Sequence, residues 1–242
     1  MTKWALIIGA SGGIGQQIAT TLAADGWSLY LHYHQHEETI QQMVDYFNHQ
    51  YAGQEFIPVQ YDLTDEENLS ALTSNIFALD ALVFAQGTTH YSLFKDLPLV
   101  KLQTMLQMQV VTPLRLVQEF EDKLARSSHG RIVFLGSVYG GAGSPMEVGY
   151  STVKGALSAF ARAYAQEIAS TGITVNVVAP GAVATPMNDI FTGAEKAAVT
   201  EEIPAGRFAD PNEISYWVKV LLDPAAQYLT GETIYVTGGW LR

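Results

Sequence analysis

The apolar run Trp4-Ala5-Leu6-Ile7-Ile8 opens directly onto Gly9-Ala10-Ser11-Gly12-Gly13-Ile14-Gly15, and a helical pattern through Ile18 and Leu22 follows. This is a buried strand, a glycine turn and a helix in immediate succession. Glycines let the backbone turn sharply and approach a pyrophosphate, while the helix N-terminus offers free N–H groups and the positive end of a dipole. The spacing GxxxGxG departs from the GxGxxG of larger dinucleotide-binding enzymes. A glycine turn with no ligand would look the same, so other signals must decide.

Strand patterns recur near 4–9, 28–33, 56–61, 80–85, 130–136, 173–179 and 233–237, with helical patterns between them. That alternation predicts a single α/β domain over 1–242, a doubly wound, seven-stranded parallel sheet with helices on both faces. In open sheets of this kind ligands bind beyond the carboxyl ends of the strands. Gly9, Asp62, Gly87, Ser137 and Pro180 all fall at such ends. A chain of 242 residues with 48% hydrophobic residues suffices for a substantial core.

Tyr150 and Lys154 stand four residues apart, and Ser137 lies 13 positions before Tyr150. On a helix over 150–169 the phenol and the ammonium share one face, one turn apart. A nearby cation favours phenolate, so Lys154 is expected to lower the Tyr150 pKa from its ordinary value near 10. The Ser137 hydroxyl can then hold a carbonyl oxygen while Tyr150 exchanges a proton with it. Taken alone, a YxxxK pair is usually a plain helix surface.

Glycine turn and Ser–Tyr–Lys set together resemble the short-chain dehydrogenase/reductase family, and the likeness covers nearly the whole chain. It extends to Asp62-Leu63, to Asn176-Val177-Val178-Ala179-Pro180-Gly181 with Thr185, and to Thr230-Gly231-Glu232-Thr233 with Val236-Thr237-Gly238-Gly239. Within the family the chain looks most like bacterial 3-oxoacyl-(acyl carrier protein) reductases. The resemblance implies hydride transfer between a nicotinamide and a ketone, with Tyr150 as acid-base, Lys154 also bonding the nicotinamide ribose, and Ser137 orienting the carbonyl. Around the cofactor it implies Gly9, Ser11, Gly12, Gly13, Ile14 and Gly15 at the pyrophosphate and Tyr33 and His34 at the adenine ribose. Asp62 and Leu63 would contact the adenine, Ala85 and Gly87 would lie alongside, and Pro180, Gly181, Val183 and Thr185 would line the nicotinamide.

Two positions depart from the family pattern. Where Asn-Asn-Ala-Gly is usual, the chain has Phe84-Ala85-Gln86-Gly87, and the asparagine of the proton relay behind the lysine aligns with Gln109. A modified relay is expected, with slower turnover. Cofactor choice also departs: Tyr33 stands where NAD-preferring members carry an acid, and no Lys or Arg occurs between Trp4 and Phe94. NADPH is favoured over NADH because nothing acidic stands at Tyr33, and His34, His36, Ser11 and backbone amides are the candidates for its 2′-phosphate. If histidines hold that phosphate, NADPH affinity weakens as pH rises past about 6.5. His32, His34 and His36 alternate, but a metal site is not expected, since no motif sets a carboxylate opposite them.

A net charge of −11 argues against nucleic acid. No apolar run approaches the roughly 18 residues that span a bilayer, and the N-terminus passes straight into a strand, so a cytoplasmic protein is expected. The positions of basic carrier-protein docking residues align with Ser128 and Thr171, leaving Arg126 and Arg131 as possible substitutes. A narrower resemblance joins the stretch from Gly26 to His34 and both departures above to Firmicute reductases of an aminopentanone on a lysine of elongation factor P. Such a substrate carries an amine that an acidic enzyme attracts. A non-catalytic NADP(H) sensor or scaffold on the same fold is the alternative of another class, and retention of Ser137, Tyr150 and Lys154 disfavours it. The helix from Gly155 to Ala169 is apolar on more than one face, which with the family's habit of pairing suggests a homotetramer. The segment 185–204 is expected to be a lid over the substrate.

Overall fold

The computed structural model describes residues 2–65, 67–187 and 192–240. Seven strands form one parallel sheet: β1 Lys3–Ile8, β2 Trp27–Tyr33, β3 Phe56–Gln60, β4 Ala81–Phe84, β5 Arg131–Leu135, β6 Thr174–Pro180 and β7 Thr233–Val236. Their order is β3-β2-β1-β4-β5-β6-β7. Every expected strand is present, with ends displaced by a few residues at most.

Strands β1, β2, β4, β5 and β6 are buried on both faces because helices cover both. Along β1, Trp4, Leu6 and Ile8 enter one core while Ala5 and Ile7 enter the other, the alternation a pleated strand imposes. The first core is closed by helices α5 (Thr112–Arg126) and α7 (Val148–Ile168), which bring Leu116, Phe120, Leu157 and Ala161. Within it Phe84 and Phe134 stack at 4.7 Å on adjacent strands. The second core is closed by α1 (Gly13–Ala24), α2 (Glu37–Gln50) and α9 (Pro211–Leu222), through Ile18, Leu22, Phe47, Ile214 and Val218. Asp210 starts α9 with a capping box that includes Glu213.

Between α5 and the preceding α4 (Leu99–Leu106), residues Gln107–Val111 form a turn of π-helix. The wider turn carries Gln109 into the interior, where it is fully buried, and such bulges occur often at functional sites. Asn176 has a structural explanation. Its amide donates to the Leu229 carbonyl and accepts from Glu232 N–H, which holds the Thr230-Gly231 approach to β7 against β6. Shorter helices are α3 (Ser70–Thr73), α6 (Tyr139–Ala142) and α8 (Gly193–Glu202).

Candidate active site

The chain leaves β1 and β4 in opposite directions, so a crevice opens at their carboxyl ends. Gly9 turns there with φ +81°, and a Cβ on it would lie 2.7 Å from the Gln86 backbone. At Gly15 a Cβ would lie 2.1 Å from the Gly9 carbonyl oxygen. No other residue fits either position. Helix α1 begins at Gly13 with no side-chain cap at Gly12 and no acid in its first turn. Its leading amides are therefore available to an anion.

A cleft of about 550 Å³ runs over this turn. Gly9, Ser11, Gly12, Gly13, Ile14, Tyr33, His34, Leu63, Ala85, Gly87 and Thr185 of the expected cofactor set line it. Gly15 lies beneath the turn, and Asp62 stands outside the lining, with its carboxylate 3.5 Å from His34 Nε2. Thr64 donates to Asp62 from both its backbone amide and its hydroxyl, which holds the Asp62 carboxyl below its ordinary value although burial opposes it.

The histidines divide. His32 is buried; its Nδ1 accepts from Gly9 N–H at 3.1 Å and its Nε2 faces the Tyr61 carbonyl at 3.1 Å. That pattern requires the neutral ring, and burial lowers its pKa to about 4. The strand ends at Tyr33 and both His32 nitrogens are occupied, so the alternation of His32, His34 and His36 makes no shared open face. The expectation that nothing acidic stands at Tyr33 is corrected: burial, and then the nearby Glu37 carboxylate in the first turn of α2, raise the Tyr33 phenol's pKa. Four residues separate the two in sequence, but the bend between β2 and α2 closes that gap.

Adjoining the cleft is a chamber of about 170 Å³ that brings together Ser137, Tyr150, Lys154, Pro180, Gly181, Val183 and Thr185. Ser137 follows β5, and Tyr150 and Lys154 come from the first turns of α7. The Ser137 hydroxyl stands beside the Tyr150 phenol and acts to lower its pKa. Lys154 is buried, donates to the Leu135 carbonyl at 2.8 Å, and holds its ammonium 5.5 Å from the Tyr150 ring centroid. Burial pushes Tyr150 up to about 12, with Glu147 and Tyr139 adding to the rise against the Ser137 hydroxyl, and lowers Lys154 to about 8. The expected lowering of Tyr150 by Lys154 is corrected: burial raises the phenol instead. Desolvation dominates, and the ammonium is spent on a carbonyl under the ring.

Gln109 donates to the Thr88 carbonyl at 2.9 Å, and its Oε1 has no partner among the described residues. A Cβ on Gly87 would lie 3.2 Å from that oxygen and 3.4 Å from Lys154 Nζ. Glutamine and lysine therefore face each other across Gly87. The remaining chamber wall is formed in part by Thr89, Tyr91, Tyr139, Glu147 and Trp240, none of which the motifs single out. Of the expected 185–204 lid, residues 188–191 lie outside the described residues. Helix α8 stands at the chamber through Lys196 and Val199.

The model of the short chain dehydrogenase family matches residues 3–195. The chain belongs to that family. It is 40% identical to an uncharacterized oxidoreductase of Bacillus subtilis, YmfI, over 99% of each chain. The 3-oxoacyl-[acyl-carrier-protein] reductase FabG of Escherichia coli is 33% identical, over 98% of this chain and 96% of its own. Among solved structures, the angucycline C-6 ketoreductase LanV with bound NADP superposes with a TM-score of 0.91 at 25% identity, covering 99% of this chain and 95% of that one. The family places the chain among oxidoreductases that bind a nicotinamide cofactor, and the free amides of the glycine turn fit the pyrophosphate of such a group.

Proposed function

We propose that the protein is an NADPH-dependent carbonyl reductase that turns a ketone into a secondary alcohol through Ser137, Tyr150 and Lys154. The Ser137 and Tyr150 hydroxyls, brought together in the chamber beside the cleft, carry this reading. A carbonyl oxygen seated between the two hydroxyls lies where a proton can be given to it. With its pKa pushed up to about 12, the phenol stays protonated at neutral pH and suits reduction, the direction in which Tyr150 is the acid. When bound, the reduced nicotinamide supplies the hydride.

Lys154 positions the ring from below, and its low pKa makes it a proton carrier. Gln109 Oε1 faces the same ammonium across Gly87, in keeping with a relay that leads protons toward Thr88. LanV, solved with bound NADP, supports the choice of NADPH, with His34, His36 and Ser11 at the cleft for its phosphate.

The FabG relatives support a 3-oxoacyl thioester on acyl carrier protein as substrate. One expected substitute for docking is corrected: Arg131 is 1% exposed, at the amino end of β5, opposite the cleft. That burial and the charge of −11 favour a second reading, reduction of the aminopentanone on elongation factor P. The test is NADPH and NADH consumption with the thioester and the lysine-linked aminopentanone in parallel. Preference for the thioester assigns a carrier-protein reductase, preference for the aminoketone a protein-modification enzyme, and turnover of both no faster than by a Tyr150→Phe control sinks the proposal.

For assembly we propose a homotetramer, supported by apolar side chains left open outside the site. These include Leu99, Val100 and Val111 around α4 and Tyr228 and Tyr235 around β7.

A further inference from the structure

The chamber holds a carboxylate that the reaction above does not use. Glu147 lies one turn before Tyr150, at the N-cap position of α7, yet its side chain makes no cap hydrogen bond. It lines the chamber instead, only 9% exposed, and its Oε1 accepts from the Thr89 hydroxyl at 2.7 Å. Among the described residues no cation pairs with it. The residue before it, Met146, is the one described non-glycine residue with positive φ, +66°, and its carbonyl is held by Ser92 N–H. A strained backbone next to the reacting phenol is therefore retained where it aims an acid into the substrate space.

Burial without a counter-ion is unfavourable for a carboxylate, and it raises the pKa of Glu147. An ammonium group entering the chamber removes that penalty, because the pair is desolvated together and the Thr89 bond fixes the acceptor. Tyr91, Tyr139 and Trp240 line the same space with rings, and ring faces attract cations. An excess of acids over bases draws the same ligands from solution.

Resting on the reductase reading, we infer that Glu147 is the specificity-determining residue for a cationic ketone, holding an ammonium group of the substrate while Ser137 and Tyr150 hold its carbonyl oxygen.

The test compares a quaternary ω-ammonio methyl ketone with the neutral ketone in which carbon replaces the nitrogen. Reduction of both by the full-length protein is followed as NADPH consumption, and binding of the unreacted cation is measured by calorimetry in parallel. Glu147→Gln keeps the shape and the acceptor for Thr89 but removes the charge. It should lower kcat/KM for the cationic ketone roughly 10- to 100-fold more than for the neutral ketone, chiefly through KM. An equal loss on both ketones, with a shifted pH profile, would assign Glu147 to the Tyr150 phenol and overturn the inference. If neither ketone is reduced, the calorimetry still decides: cation binding that Glu147→Gln abolishes upholds recognition while the reductase reading fails, and binding indifferent to the substitution sinks the inference by itself.

Discussion

His32→Gln isolates a pH dependence of stability that the structure assigns to one ring. His32 is 2% exposed and bonded at both nitrogens, to Gly9 N–H and to the Tyr61 carbonyl, as only a neutral imidazole can be. Its pKa falls from 6.5 to about 4 on folding because burial disfavours the charged ring. A folded value below the unfolded one means that the unfolded chain binds the proton first as pH falls. The contribution is complete above about pH 6.5 and is lost as pH falls toward 4. At about 1.36 kcal/mol per pH unit the loss is about 3 kcal/mol. His34 and Asp62 face the ring, but the depressed Asp62 carboxyl titrates below this window. The rise at Glu147 acts in the opposite sense, favouring the fold as pH falls. The difference between wild type and variant separates the ring from both. Urea unfolding followed by tryptophan fluorescence, at several pH values between 7 and 4, should show the variant weaker at pH 7 by about 1–3 kcal/mol from its lost bonds. It should also show a flatter decline than wild type, so that the two curves converge or cross. Parallel curves would refute the reasoning.

Other expected outcomes follow from the site. Tyr150→Phe should cut the reduction rate roughly a hundred- to ten-thousand-fold while leaving cofactor affinity intact; a fluorescence titration showing lost NADPH binding would instead mark a structural role. Glu37→Gln removes the carboxylate beside Tyr33 and should tighten NADPH about two- to fivefold, with NADH unaffected; unchanged NADPH affinity places its 2′-phosphate elsewhere. Gln109→Asn withdraws the amide from Lys154 by one methylene and should shift the pH–rate profile at a stability cost of about 1 kcal/mol; an unchanged rate and profile would end the relay role. Light scattering at micromolar concentration should give a species of four chains, and a monomer would return the open apolar surface to some other partner.

Much of the fold is legible because its signals are local. A strand covered on both faces must be apolar throughout, and the turn at Gly9 needs glycine for its φ and Gly15 for its missing Cβ, so both show in any short window. Ser137, Tyr150 and Lys154 are legible for the same reason, since a fixed step on a helix and a strand end place them before any packing is known.

Other features depend on which segments pack together. His32 resembles its neighbours His34 and His36 in type and spacing, and only the approach of β1 and β3 makes it a neutral buried staple. Arg131 reads as a surface base until the sheet closes over it. Tyr33 looks free of acids until the β2–α2 bend brings Glu37 near it. The direction of the Tyr150 shift is decided by how much water the chamber excludes, a sum over groups distant in sequence. Glu147 sits in plain view three residues before the phenol, yet its turn into the chamber comes from the bond to Thr89, 58 residues away. Local geometry sets which groups the site contains; desolvation and long-range contacts, which no window of sequence records, set their charge and their partners.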